Sequence, residues 1–336
     1  MKNTIFLLPA IAAAIISGCA KDTTASPNEM TKEYIEAWLN KNYPNAVKSG
    51  NGIYILKDTP GTGEPYNFEQ YAVVKTTVSN LSGDIKSTTD KQLSMQLGKY
   101  NSSYYYGPKT WKVSKNYQPV GIYDMIGGMK RGGYRKALIP SWLMGYKRYK
   151  NPAKYIKNSP DNAVTSIYEI SLEDFTNDID KLQISQIEEF IAKKKMAGAK
   201  PIEKGFYYKQ IKSPKAKIDK DTIIYINYIG RLLNGQVFDT NIKDTAKVYN
   251  IYNPRKQYKP IAVDRTEKTD KIKFKDAKGG LIKGFQMLIK KMGTYEKAAG
   301  IFISDYGYKE QSVANTIPGY SPLCFEVELT EKPSEE

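Results

Sequence analysis

The sequence predicts an α+β protein built as two similar halves, each a twisted antiparallel sheet around a short helix, and each preceded by a further helix. Three features carry this. The chain has 336 residues, enough for two domains at about 150 residues each. Short apolar stretches separated by Gly- and Pro-bearing turns dominate both halves, with one short amphipathic stretch in each, a pattern of antiparallel strands with a single helix. The order of these segments then repeats along the chain.

In the first half residues 31–42, with Tyr34, Ile35, Trp38 and Leu39 at helical spacing, precede Gly52-Ile53-Tyr54-Ile55. In the second, residues 184–195, with Ile184, Ile187, Phe190 and Ile191, precede Gly205-Phe206-Tyr207-Tyr208. A turn follows each short strand, at Pro60-Gly61-Thr62-Gly63 and at Ser213-Pro214. Next comes a strand-turn-strand, residues 73–85 turning at Ser82-Gly83 and residues 224–237 turning at the strong hairpin dipeptide Asn234-Gly235. The amphipathic stretches 121–129 and 284–292 match, as do Ala137-Leu138-Ile139-Pro140 and Ala299-Gly300-Ile301-Phe302. Residues 166–172 and 323–329 close the halves as alternating strands.

Composition limits the chemistry. There is no histidine and there are only two cysteines. Ser/His/Asp and Cys/His nucleophiles, His metal sites, Cys-rich zinc sites and a disulfide framework are all excluded. No metal or other cofactor is expected. The net charge of +16 first suggests nucleic acid or an anionic surface, but the amino terminus argues for export and against a nucleic-acid partner. Lys2 followed by an apolar run reads as a signal peptide over residues 1–18, too short to span a bilayer. Its end, Ile16-Ser17-Gly18-Cys19, resembles the lipobox of bacterial lipoproteins. That resemblance implies lipidation of Cys19, a membrane anchor, and placement at the outer membrane, with the face left open. Residues 19–30 are then a flexible tether. The expected organisation continues with a leading helix at 31–44, a first domain at 45–174, a helical linker at 175–199 and a second domain at 200–332.

In the second half the residues become specific. Tyr228-Ile229-Gly230-Arg231-Leu232-Leu233-Asn234-Gly235-Gln236-Val237-Phe238-Asp239 resembles the signature of FKBP-type peptidyl-prolyl cis-trans isomerases. In order after it come Lys271-Ile272-Lys273-Phe274, Leu281-Ile282-Lys283-Gly284-Phe285, Asp305-Tyr306-Gly307, Ile317-Pro318 and the strand 323–329, each similar to a further family motif. The resemblance implies two FKBP-like domains, the second an isomerase acting on proline-containing polypeptides and assisting the folding of exported proteins. It implies catalytic positions at Tyr228, Phe238, Asp239, Ile282, Phe285 and Tyr306, and substrate contacts at Ile272, Leu281, Ile317 and Phe325. The Ile282 N–H and the Tyr306 hydroxyl would hold peptide carbonyls, Phe285 would floor the proline, and Asp239 would orient Tyr228 or polarise the carbonyl. Phe285 stands where the family has Trp, and residues 241–270 stand where it has a short connection.

Such chemistry suits a chain without histidine. Rotation about X-Pro meets a barrier of about 18–20 kcal/mol, and a dry pocket lowers it by favouring the less polar twisted amide without moving a proton. In the first half Thr76, Lys86, Ser87 and Ile122 stand at the positions of Tyr228, Phe238, Asp239 and Phe285, and Met144 falls near that of Tyr306. A lysine in a dry pocket is costly, so this domain is expected to be degenerate and inactive. Two other readings stay open: non-catalytic peptide-binding or chaperone modules, and glycan binding through surface tyrosines such as Tyr104-Tyr105-Tyr106.

Overall fold

The computed structural model describes residues 27–193, 196–216, 223–265, 272–274 and 280–333. The signal segment, Cys19 and the start of the tether lie outside the described residues.

The first half runs α1 (Pro27–Asn42), β1 (Val47–Ser49), β2 (Ile53–Thr59), β3 (Thr62–Pro65), β4 (Gln70–Ser79), β5 (Ile85–Thr88), α2 (Lys91–Gln96), β6 (Lys109–Val113), α3 (Val120–Ile126), β7 (Lys130–Arg131), β8 (Gly133–Ile139), α4 (Ala153–Lys157) and β9 (Ser166–Thr176). Helix α5 (Ile179–Ala192) joins it to β10 (Lys200–Glu203), β11 (Phe206–Lys212), β12 (Ile223–Leu232), β13 (Val237–Thr240), α6 (Lys243–Val248), β14 (Ile261–Asp264), β15 (Lys273–Phe274), α7 (Lys283–Lys291), β16 (Lys297–Phe302) and β17 (Leu323–Thr330). The architecture is α+β with antiparallel sheets, as the sequence predicts.

The sheets repeat one another. One is ordered β1-β2-β8-β9-β4, with β5 and β6 both paired to β4; the other is ordered β10-β11-β16-β17-β12-β14-β15, with β13 paired to β12. Helix α7 buries Gly284, Phe285, Leu288 and Ile289 against its sheet, one face of two helical turns. Gly284 permits the close approach, since a Cβ there would lie 2.5 Å from the Phe302 ring. Gly121 does the same for α3, where a Cβ would meet Ile139 at 2.3 Å. Outside the second sheet, α5 lays Ile187 and Phe190 on Tyr207, Ile301 and the buried thiol of Cys324.

Two boundaries differ from expectation. The leading helix begins at Pro27 rather than residue 31 and takes in the end of the expected tether. Proline is favoured at a helix start and Glu29 suits the positive first turn, while Asn28 ties this end to the Ile156 carbonyl at 2.9 Å. The helix stops at Asn42 because Pro44 disfavours a helical Tyr43. Strand β9 likewise runs on to Thr176, and the linker helix starts only after Asp178, whose carboxylate caps the Lys181 N–H at 3.0 Å.

The described part of the segment that reads as an insertion, residues 241–265, has a counterpart in the first half. In each, a six-residue helix is followed by a turn built from Tyr-Asn and a second tyrosine. Tyr100 stacks on Tyr106 at 5.5 Å and Tyr252 on Tyr258 at 5.3 Å. The Asn101 N–H donates to the Tyr106 hydroxyl at 3.1 Å, and the Asn253 N–H to the Tyr258 hydroxyl at 2.9 Å. The repeat is thus more complete than hydrophobic patterning shows, because these turns depend on side-chain hydrogen bonds rather than on apolar spacing.

Candidate active site

Alternation along β12 turns Ile224, Ile226, Tyr228, Gly230 and Leu232 inward. The Tyr228 hydroxyl donates to Asp239 Oδ2 at 2.6 Å, from the neighbouring strand β13. Burial first, then the Asp239 charge, pushes the Tyr228 phenol well above its ordinary range, so it remains a protonated donor. Behind this pair is a cage of rings. Phe285 meets Tyr228 edge-on at 5.9 Å and Phe325 edge-on at 4.9 Å, and Phe238 meets Phe325 edge-on at 5.5 Å. Ile272 and Ile317 are buried in the same cluster, and Leu281 and Ile282 pack half-buried against it. Gly230 makes room for the cage, because a Cβ there would lie 2.6 Å from Phe238 and 3.0 Å from Phe325.

Ile282 is the N-cap residue of α7, in extended conformation. Its carbonyl accepts from Phe285 and Gln286, while its own N–H has no partner among the described residues. That donor is available to a ligand at the edge of the ring cage.

One position needs correction. The Tyr306 hydroxyl donates to the Lys204 carbonyl at 3.1 Å and its ring lies edge-on to Phe206 at 6.4 Å, so it is committed away from the Tyr228–Asp239 pair. A 3₁₀ turn at Ser304–Tyr306 sets this direction. Both tyrosines pack on the same core, but it is Tyr308 that lies near the pair: burial followed by the Asp239 charge raises its phenol. The sequence offers two tyrosines around Gly307, and only the turn decides between them.

Two further residues escaped sequence reading. Lys256, from the turn after α6, pairs with Asp239 Oδ1 and holds its ammonium 6.0 Å above the Tyr228 ring. Asn241 is buried and clamps that segment: it accepts from the Tyr228 N–H at 2.7 Å and donates to the Ile226 and Lys259 carbonyls at 2.8 and 3.0 Å. The long segment after the signature, where the family has a short connection, was the only sequence signal for either.

The corresponding place in the first half has no such cage. Strand pairing sets Val78 opposite Ser87 as it sets Gly230 opposite Asp239, and sets Val78 opposite Tyr168 as it sets Gly230 opposite Phe325. A valine therefore stands where Gly230 leaves room for the rings. Pro119, the N-cap of α3, stands where Ile282 stands and has no N–H to offer. The 3₁₀ turn Ser141–Leu143 puts Leu143, rather than Met144, at the place of Tyr306.

The pattern defining FKBP-type peptidyl-prolyl cis-trans isomerases matches residues 214–330. FK506-binding protein 1A of Aspergillus fumigatus is 32% identical over 124 residues, 36% of this chain and 89% of that protein. The chain belongs to the FKBP-type peptidyl-prolyl cis-trans isomerase family. Among solved structures it is similar to the three FKBP domains of wheat FKBP73, at 14% identity and TM-score 0.28 over 82% of this chain and 93% of that one. It is also similar to a peptidyl-prolyl isomerase of Pseudomonas syringae, at 21% identity and TM-score 0.32 over 46% and 97%.

Proposed function

We propose that the second half is the isomerase and that its reaction takes place in the ring cage between β12, β13, α7 and β17. The observation that carries this is the 2.6 Å hydrogen bond from Tyr228 to Asp239 at the edge of a cage walled by Phe238, Phe285 and Phe325. A proline ring enters between the aromatic faces, the Ile282 N–H and the Tyr308 hydroxyl hold the flanking carbonyls, and Tyr228 with Asp239 fixes the polar rim. The twisted amide, whose carbonyl is less polar than in the planar form, gains relative to either planar isomer in this dry setting. Leu281, Ile272 and Ile317 complete the apolar wall. The first half serves as a non-catalytic relative of the second, since Val78, Lys86 and Pro119 occupy the places of its ring cavity and its donor.

The test uses the full mature chain on a proline tetrapeptide. Parent protein accelerates isomerisation, and Asp239→Ala lowers kcat/KM by about tenfold, the loss of one charge-assisted hydrogen bond. Equal rates for parent and variant would overturn the assignment.

The protein is further proposed to act on exported polypeptides from a lipid anchor at Cys19 in the outer membrane, on the strength of the signal-like residues 1–18 and the Ile16-Ser17-Gly18-Cys19 sequence. Metabolic labelling with palmitate checks this: label appears in the parent and is absent from Cys19→Ala. An unlabelled parent protein removes the anchor from the reading.

A further inference from the structure

Between the two halves lies a cleft whose floor is β6. Lys109, Thr110, Trp111 and Lys112 all line one cavity of about 390 Å³, against Asn315 and Tyr320 of the second half. Alternate strand residues leave opposite faces, so four successive residues reach one space only when it lies along the strand's edge. A second cavity of about 370 Å³ shares Thr110 and Tyr320 and extends to Tyr105. Strand β6 is bonded to β4 on one side, and its other edge has no backbone partner among the described residues. Its counterpart β14 is covered on that side by β15, whereas the first half passes from β6 to α3 with no such strand. An uncovered edge is a template for another extended chain.

Two observations indicate what that chain is. Lys109 is half-buried in the cleft and burial lowers its pKa; Lys112 and Glu310 line the same cavity, but no carboxylate among the described residues forms an ion pair with Lys109. A carboxylate on an incoming segment would satisfy it. Tyr105 joins the cleft to the candidate active site: it lines the second cavity, packs against the ring core, and donates its N–H to the Asn315 carbonyl at 2.8 Å, two residues before Ile317. Gln236, two residues before Phe238, meanwhile donates to the Tyr104 carbonyl at 3.2 Å.

We propose that the cleft binds an extended, acidic segment of the substrate polypeptide as an added strand on β6, next to the proline held in the ring cage. Main-chain hydrogen bonds to β6 supply sequence-tolerant affinity, and Lys109 supplies the preference for carboxylates. Trp111 and Tyr320 supply apolar contact. That the occupant is the isomerase's own substrate rests on the function proposed above; strand addition to β6 does not.

The probe is a fluorescein-labelled, proline-free peptide of alternating Glu and Val, with its Lys-Val analogue, added to the full chain. Anisotropy shows saturable binding of the acidic peptide, about tenfold weaker for Lys109→Glu and for the Lys-Val analogue, with Lys109→Gln intermediate. Native circular dichroism of both variants guards against misfolding. Hydrogen exchange of the amides in Lys109–Val113 slows on saturation. Equal affinity in parent and both variants, or unchanged exchange in β6, overturns the proposal. Failure of the isomerase reading appears separately, as a parent protein that leaves the proline tetrapeptide uncatalysed.

Discussion

Tyr306 and Tyr308 lie two residues apart and have different work. The first hydroxyl is bonded to the Lys204 carbonyl, and the second phenol feels the Asp239 charge. Tyr308→Phe is therefore expected to lower kcat/KM on a proline peptide by about tenfold with little change in stability. Tyr306→Phe is expected to cost about 1 kcal/mol in urea unfolding and leave kcat/KM within about twofold. Reversal of the two outcomes would return the substrate contact to Tyr306. Lys256 belongs at this scale too. Its ammonium pairs with Asp239 Oδ1 above the Tyr228 ring and leaves the phenol bonded to the other carboxylate oxygen.

At the scale of elements, β12 and its hairpin decide whether there is a ring cage. Gly230 lies under Phe238 and Phe325, and Val78 is its equivalent in the half without a ring cage. Gly230→Ala forces the Phe238 ring to move. Overpacking of this kind costs about 1–3 kcal/mol, and here it also narrows the ring cage. KM for a proline peptide is expected to rise by at least about fivefold; an unchanged KM would mean that Phe238 does not wall the site. Helix α5 acts at the same scale. Its buried Gln183 accepts from the Ser304 N–H at 2.6 Å and donates to the Tyr320 carbonyl at 3.1 Å, pinning both ends of the loop that carries Tyr308 and Ile317.

For the whole molecule, the absence of histidine has a measurable consequence. No side chain with an ordinary pKa between about 5 and 8 is present, so kcat/KM is expected to be level from about pH 6 to about pH 9. The alkaline side differs. Burial pushes Tyr66, Tyr105 and Tyr320 up to about 12, and Tyr208 and Tyr228 higher, each above its unfolded value. The folded state holds those protons longer than the unfolded state, so their contribution is intact below about pH 10 and is lost as pH rises through the folded values. Unfolding midpoints in urea are expected to fall steadily above about pH 10; a level profile there would show the phenols to be exposed.

The sequence alone determined the α+β class, the repeat, the family of the second half and nine of the residues around the ring cage, because each of these is written in local patterns. Alternation marks an inward face, Asn-Gly marks a hairpin, and the signature runs unbroken from Tyr228 to Asp239. What only the tertiary structure decided depends on contacts between segments far apart in the chain. The direction of Tyr308 follows from a 3₁₀ turn, the approach of Lys256 from the clamp at Asn241, and the cleft along β6 from the way the two halves meet. No periodicity encodes those, since each is set by a fold already formed.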